Sequence, residues 1–189
     1  MKVVGINGSS RKNGNTTILI REVFKELAAA GIETELIQLA DQVITPCRAC
    51  FACAQTGTCS LRGDAFADIF NRMINADGIL LGSPVYSADI SARMKAFLER
   101  SAVLIDMRPG LLKHKVGAAL AAVRRGGGIT ALDSIYHFFL NHEVIVAGST
   151  YWNIAYGKMP GEVLNDKEGI NTMKNLGQNM AFILQHIKS

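Results

Sequence analysis

The chain has 189 residues, enough for one domain with a substantial core and short for two. With 49% hydrophobic and 19% charged residues, it is neither disordered nor fibrous, and a net charge of +4 from scattered basic residues gives no nucleic-acid surface. No apolar run reaches the ~18–20 residues that span a bilayer, and the N-terminus carries no signal-peptide pattern, so the expectation is a cytoplasmic protein with reduced thiols and no membrane partner.

Strand-like and helix-like segments alternate. Lys2–Ile6 is a short β-branched run that reads as a buried strand. A polar loop from Gly8 to Thr17 leads into a helix over Thr16–Ala30, which Gly31 ends. Glu33–Leu39 alternates and reads as a half-exposed strand near an edge. An irregular cysteine-bearing insertion covers about 41–62. Asp64 then reads as the N-cap of a helix over Ala65–Ile74. Gly78–Gly82 is the third strand, Ser91–Ile105 a helix, Lys115–Val123 the fourth strand, Ile129–Leu140 a helix and Glu143–Gly148 the fifth strand. A loop rich in glycine, asparagine and aromatic residues runs over Ser149–Asn165, and a last helix covers Lys167–Ile187. Five strands with intervening helices imply parallel crossovers in one open α/β domain spanning 1–189. Ligands in such sheets sit beyond the carboxyl ends of the strands, so the loops after strands one, three and four are the places to look.

The first of these loops offers hydroxyl and amide donors from Ser9, Ser10, Asn15, Thr16 and Thr17, the charge of Arg11, and the open N–H groups of a helix start. Asn15 stands where a P-loop needs lysine, and the G-x-G-x-x-G dinucleotide pattern is absent. A hydroxyl-rich loop that holds one phosphate fits the 5′-phosphate of FMN; the plainer alternative is a polar turn whose serines only cap the helix. After strand three, Pro84 stiffens a turn and Tyr86 can lie beside a planar ring, with Val85 and Ser87 between and beyond them. After strand four, Arg124-Arg125-Gly126-Gly127-Gly128 allows backbone to pass close to a ligand. Arg125 or Arg124 can stabilise a reduced ring or meet a nicotinamide phosphate; a solvated surface turn is the competing reading.

Together these segments, with Met94-Lys95-Ala96-Phe97-Leu98-Glu99-Arg100, resemble the NADPH-dependent FMN reductase family of flavodoxin-like proteins over nearly the whole chain. The resemblance implies a three-layer sandwich around a five-stranded parallel sheet of order 2-1-3-4-5. It implies FMN phosphate contacts at Ser9, Arg11, Asn15, Thr16 and Thr17. Ring and ribityl contacts are implied at Pro84, Val85, Tyr86 and Ser87, with Arg125, Gly126 and Gly127 nearby. Within that superfamily the cysteine motif is similar to that of the iron–sulfur flavoproteins, which implies a [4Fe–4S] cluster exchanging electrons with FMN, and a homodimer or homotetramer.

The cysteines are spaced Cys47-x2-Cys50-x2-Cys53-x5-Cys59. Four thiolates are the usual ligand set of a cubane cluster, and Gly57 in the longer gap lets the chain turn back. Zinc on the same thiolates, a motif without a cluster, and a redox dithiol such as Cys50/Cys53 are the alternatives. No histidine shows a catalytic pattern. Tyr151, Trp152 and Tyr156 read either as a flavin cover or as simple packing. The expected function is an FMN-dependent oxidoreductase with a small-molecule or ferredoxin-type donor or acceptor. The rivals are an NAD(P)H-dependent FMN or quinone reductase without a cluster and a non-catalytic flavin-binding electron carrier.

Overall fold

The computed structural model describes residues 1–187. β1 (Lys2–Asn7) is buried from Val3 onward, because its alternate side chains feed two separate apolar layers. Val3 points into one layer and Val4 and Ile6 into the other. α1 (Asn15–Ala29) follows, then β2 (Glu33–Gln38), the single turn α2 (Cys53–Thr56), and α3 (Phe66–Asn75). β3 (Gly78–Pro84), α4 (Ala92–Asp106), β4 (Val116–Val123) and α5 (Gly128–Asn141) continue the alternation. The chain ends in β5 (Ile145–Val146), β6 (Ile154–Tyr156), a 3-10 turn at Glu162–Asn165 and α6 (Lys167–Ile187).

All strand pairings are parallel, and the order is β2-β1-β3-β4-β5, the flavodoxin-like arrangement that the resemblance implies. α1 and α6 supply one apolar layer (Leu19, Val23, Met173, Leu176), while α3, α4 and α5 supply the other (Phe66, Phe97, Ile135, Phe139). β4 is buried throughout its length, and its alanines let helices close on both faces.

Apart from the single turn α2, which falls in the cysteine segment read as irregular, the α-helices agree with the periodicity to within a residue or two. The fifth strand does not. Glu143 takes a left-handed φ of 59°, so the extended run starts only at Ile145. It then breaks after two residues, and a sixth strand, β6, returns to the same side of β4. Between the pairs Gly117–Val146 and Ala121–Ile154, β4 advances four residues and the outer chain eight. The excess bulges outward. Ser149 Oγ contacts both the Tyr151 carbonyl, at 2.7 Å, and Asn153 Oδ1, at 2.5 Å, while Asn153 Nδ2 donates to the Tyr136 hydroxyl at 3.1 Å. Three residues of strand are too few to show a period, so Ser149–Asn165 looks like unbroken loop in the sequence.

α6 lies directly on α1 at Gly177, where an added Cβ would stand 2.7 Å from the Val23 carbonyl oxygen and 2.8 Å from Glu26 Cβ. The Gly177→Val variant is therefore expected to lose about 1–3 kcal/mol of stability, measured by urea unfolding.

Candidate functional site

Four loops meet at the carboxyl ends of the strands. The first leaves β1 through the buried Asn7, whose Oδ1 accepts from the Ser9 N–H at 2.9 Å and whose Nδ2 donates to Thr17 Oγ1 at 2.8 Å. Ser9 Oγ in turn accepts from the Arg11 N–H at 3.1 Å. These bonds fold the loop back over the start of α1. No side chain caps that helix, so its first-turn N–H groups are left for a ligand or water. The loop after β3 makes a tight hairpin in which Tyr86 and Asp89 exchange backbone bonds of 2.8 and 3.1 Å. Ser87 and Ala88 sit at its tip with left-handed φ of 49° and 64°, a strained choice for residues other than glycine. Gly127, after β4, has a φ of 82° and packs against this tip, since a Cβ there would stand 2.8 Å from Ala88 Cα.

The fourth loop is the chain beyond β6. Gly157 N–H donates to the Val123 carbonyl at 2.8 Å. Asn15 ties this loop to α1: its Nδ2 donates to the Gly157 carbonyl at 3.0 Å, and its Oδ1 accepts from the Gly161 N–H at 2.8 Å.

Together the loops form a cleft of about 290 Å³. Ser9, Arg11, Asn15 and Thr16 line one part of it, Pro84, Val85 and Tyr86 another, and Ala122, Arg124, Gly157 and Lys158 the rest, with Gly14 at the helix start. Three basic and no acidic side chains face it, which suits a phosphate. Several of the residues named from the sequence stand outside the lining. Ser10 accepts from Arg93 Nη1 at 2.6 Å. Thr17 is buried behind the loop, where its hydroxyl donates to the Lys12 carbonyl and accepts from Gln38 Nε2. Ser87 shapes the hairpin tip. Arg125 and Gly126 are exposed beyond the rim, and Arg124 is the arginine that lines the cleft. Gly157 and Lys158 were not legible as site residues, because the strand that brings them in is only three residues long. No histidine lines the cleft.

The thiols form a second place of interest on the outer side of α4. Cys47, Cys50, Cys53 and Cys59 all line one small apolar pocket with Arg100, Val103 and Leu104. The loop reaches this shape through left-handed φ angles at Ala49, Phe51 and Gly57 (51°, 53° and 66°). Ala49 N–H donates to Cys47 Sγ at 3.4 Å. Ser60 Oγ lies 3.3 Å from Cys50 Sγ; that hydroxyl, the Ala52 N–H and Arg48 bring the Cys50 thiol down to about 7. Arg100, 2% exposed, donates from Nε to Cys59 Sγ at 3.2 Å and pairs with Asp64. Asp64 also accepts from the Thr45 and Phe66 N–H groups; the helix N-cap falls at Ala65 without a side-chain cap, so the residue read as the cap stands one place earlier and works as a loop anchor. Burial raises the Asp64 carboxyl, but the bonds to Arg100, Thr45 and Phe66 outweigh it and hold the group below its ordinary range. The donor set fits a thiophilic metal or cluster in kind. Among the described residues, however, no three cysteine, histidine or acidic side chains stand close enough to grip an ion, and the enclosed space is about 20 Å³. Holding a cluster would require the loop to open outward.

The family model for NADPH-dependent FMN reductases matches residues 1–158. The chain belongs to that family. It is 44% identical, over the full length of both chains, to an iron–sulfur flavoprotein of Methanocaldococcus jannaschii. Its fold is similar to that of RosB solved with bound 8-demethyl-8-formylriboflavin-5′-phosphate (TM-score 0.79, 16% identity, covering 100% of this chain and 80% of that one). It is also similar to a flavodoxin from the domain Archaea (TM-score 0.65, 16% identity, covering 98% and 100%). The protein is thus an FMN flavoprotein oxidoreductase with a flavodoxin-like fold, and among the described residues no helix is long and apolar enough to cross a membrane.

Gly157 offers a direct check on the cleft, because an added Cβ would stand 2.7 Å from Val163 N and 2.8 Å from Asn15 Nδ2. Gly157→Ala is expected to weaken FMN binding about tenfold or more, roughly 1.4 kcal/mol, with an unchanged far-ultraviolet circular dichroism spectrum; quenching of FMN fluorescence on titration measures it.

Proposed function

We propose that this FMN-dependent oxidoreductase also holds a [4Fe–4S] cluster on Cys47, Cys50, Cys53 and Cys59, and exchanges electrons with a ferredoxin-type or small-molecule partner. The observation that carries the reading is the convergence of all four thiols on one apolar pocket against a buried guanidinium. The name of the 44% identical relative supports it. When bound, FMN supplies one- and two-electron chemistry and a cubane cluster one-electron chemistry.

The chain's own residues would do the rest. The first-turn N–H groups of α1, Ser9 and Thr16 would hold the phosphate, with Arg11, Arg124 and Lys158 offsetting its charge. Pro84, Val85 and Tyr86 would lie against the ring system, and the Gly157–Gly161 segment, pinned by Asn15, would keep water from the phosphate end. Ser10, Thr17 and Ser87 would support the two loops from behind, with Gly127 packed against the Ser87–Ala88 tip and Arg125 and Gly126 beyond the rim. Cytoplasmic residence belongs to the same reading, supported by four free cysteines where an oxidising compartment would favour a disulfide. Assembly into a homodimer or homotetramer is supported by exposed apolar side chains at Tyr151, Trp152, Tyr156 and Met159 beside the cleft.

One observation favours a second reading. The closed thiol pocket, with no ligand group of three within reach of an ion, suits an NAD(P)H-dependent FMN or quinone reductase whose cysteines carry no metal. Two measurements separate the readings. Anaerobically purified protein with its full complement of FMN should contain about four iron and four acid-labile sulfide per chain, the cubane stoichiometry, with broad absorption beneath the flavin bands; zinc, or no metal, sinks the proposal. Steady-state NADPH oxidation with a quinone acceptor should be slow, and rapid turnover by iron-free protein would establish the rival.

A further inference from the structure

The bulge between β5 and β6 forms a second small cavity against the start of α6. Tyr156 lines it, and the next residue, Gly157, lines the FMN cleft. It encloses about 80 Å³, small beside the ~300–1,000 Å³ of sites that take whole drug-sized molecules, so it accepts a head group. The chain's single tryptophan and two of its four tyrosines converge here. Tyr151, Trp152 and Tyr156 are 59%, 56% and 53% exposed, so packing within the chain covers less than half of each. The Tyr151 and Trp152 rings lie 4.6 Å apart at 55°, which makes them two walls of a corner and not one flat stack. Their backbone is held in place. The Ser149 hydroxyl donates to the Tyr151 carbonyl at 2.7 Å, and the Ile154 N–H donates to the Trp152 carbonyl at 2.7 Å.

The remaining walls bring in Asp166 and Glu168, and among the described residues no basic side chain lines the cavity. Asp166 is already engaged. Its Oδ2 accepts from the Tyr156 N–H at 2.7 Å and its Oδ1 from the Gly169 N–H at 3.0 Å, so it answers the partial positive charge at the start of α6. Glu168, in the first turn of that helix, is exposed and has no ion-pair partner among the described residues. The helix dipole accounts for an acid at this position, but not for three uncovered aromatic side chains beside it. Aromatic faces and a free carboxylate attract the same kind of ligand, a cation with an apolar skin. We infer that the corner of Tyr151, Trp152 and Tyr156, closed by Glu168, is a binding site for an alkylammonium head group. A free amine and a lysine side chain of a second copy of this chain present that same chemistry. The inference depends on neither the flavin nor the thiol loop.

Trp152, the only tryptophan, is the reporter. FMN-loaded protein is titrated with tetramethylammonium chloride, against sodium chloride at equal ionic strength. Tryptophan emission should change saturably, with half-saturation at roughly millimolar concentration, and sodium chloride should leave it flat. Choline should act likewise, while its uncharged analogue, with carbon in place of nitrogen, should bind about fivefold more weakly or worse. Glu168→Gln and Tyr151→Leu, both at exposed positions, should each weaken binding about threefold or more, with FMN affinity held within about twofold. Sedimentation velocity with and without the cation identifies the source. An assembly that dissociates on its addition has a neighbouring copy's lysine in the site, and one that stays intact leaves the site open to a free amine; either result supports the inference. Equal binding of the uncharged analogue overturns it, and so does wild-type affinity in Glu168→Gln. Emission that follows ionic strength alone overturns it as well.

Discussion

Every strand of the sheet runs the same way, and that constraint sets where chemistry is possible. Parallel pairing sends all the carboxyl ends to one edge. The next helix must start there, so loops, open helix N–H groups and chain reversals crowd together. The buried amide of Asn7 turns this crowding into a defined shape by tying Ser9 and Thr17 to the end of β1. The cleft is a product of topology first and of side-chain choice second.

α4 serves both functional regions. Its N-terminus is capped by Ser91, whose hydroxyl accepts from the Met94 N–H and donates to the Gly8 carbonyl at 2.7 Å, so it is joined to the first cleft loop. Further along, Arg100, Val103 and Leu104 form the floor of the thiol pocket. Its core side, with Phe97 buried at the centre, packs under the sheet. One helix thus ties the cleft to the loop that carries the cysteines.

Much of this was legible from residues alone, for physical reasons. Fully buried strands such as Gly78–Gly82 announce themselves as apolar runs, and helices by their period. The loop Gly8–Thr17 stood out by its hydroxyls and by the lysine and glycines that it lacks, and its residues Ser9, Arg11, Asn15 and Thr16 line the cleft. Two things were hidden. Gly157 and Lys158 depend on β6, which owes its existence to a tertiary pairing with Ala121–Val123 and not to any local pattern. Arg100 lay in plain view within a family-like segment, but a single arginine in an amphipathic helix looks solvated. Only the packing of Phe66 and the loop over it reveals the burial. Which arginine of the Arg124-Arg125 pair borders the cleft is likewise decided by the turn just beyond β4, where no strand period runs to reveal it.

The split of the outer strand carries a consequence for how copies of this chain could meet. A long, straight edge strand invites another chain to add itself to the sheet. Here one edge consists of pieces two and three residues long, separated by an outward bulge. The other edge, β2, carries Glu33 and Glu35, bridged to Lys2 and Arg72. The split border is poorly suited to taking up a further strand, and the β2 border is guarded by charged pairs rather than by irregularity.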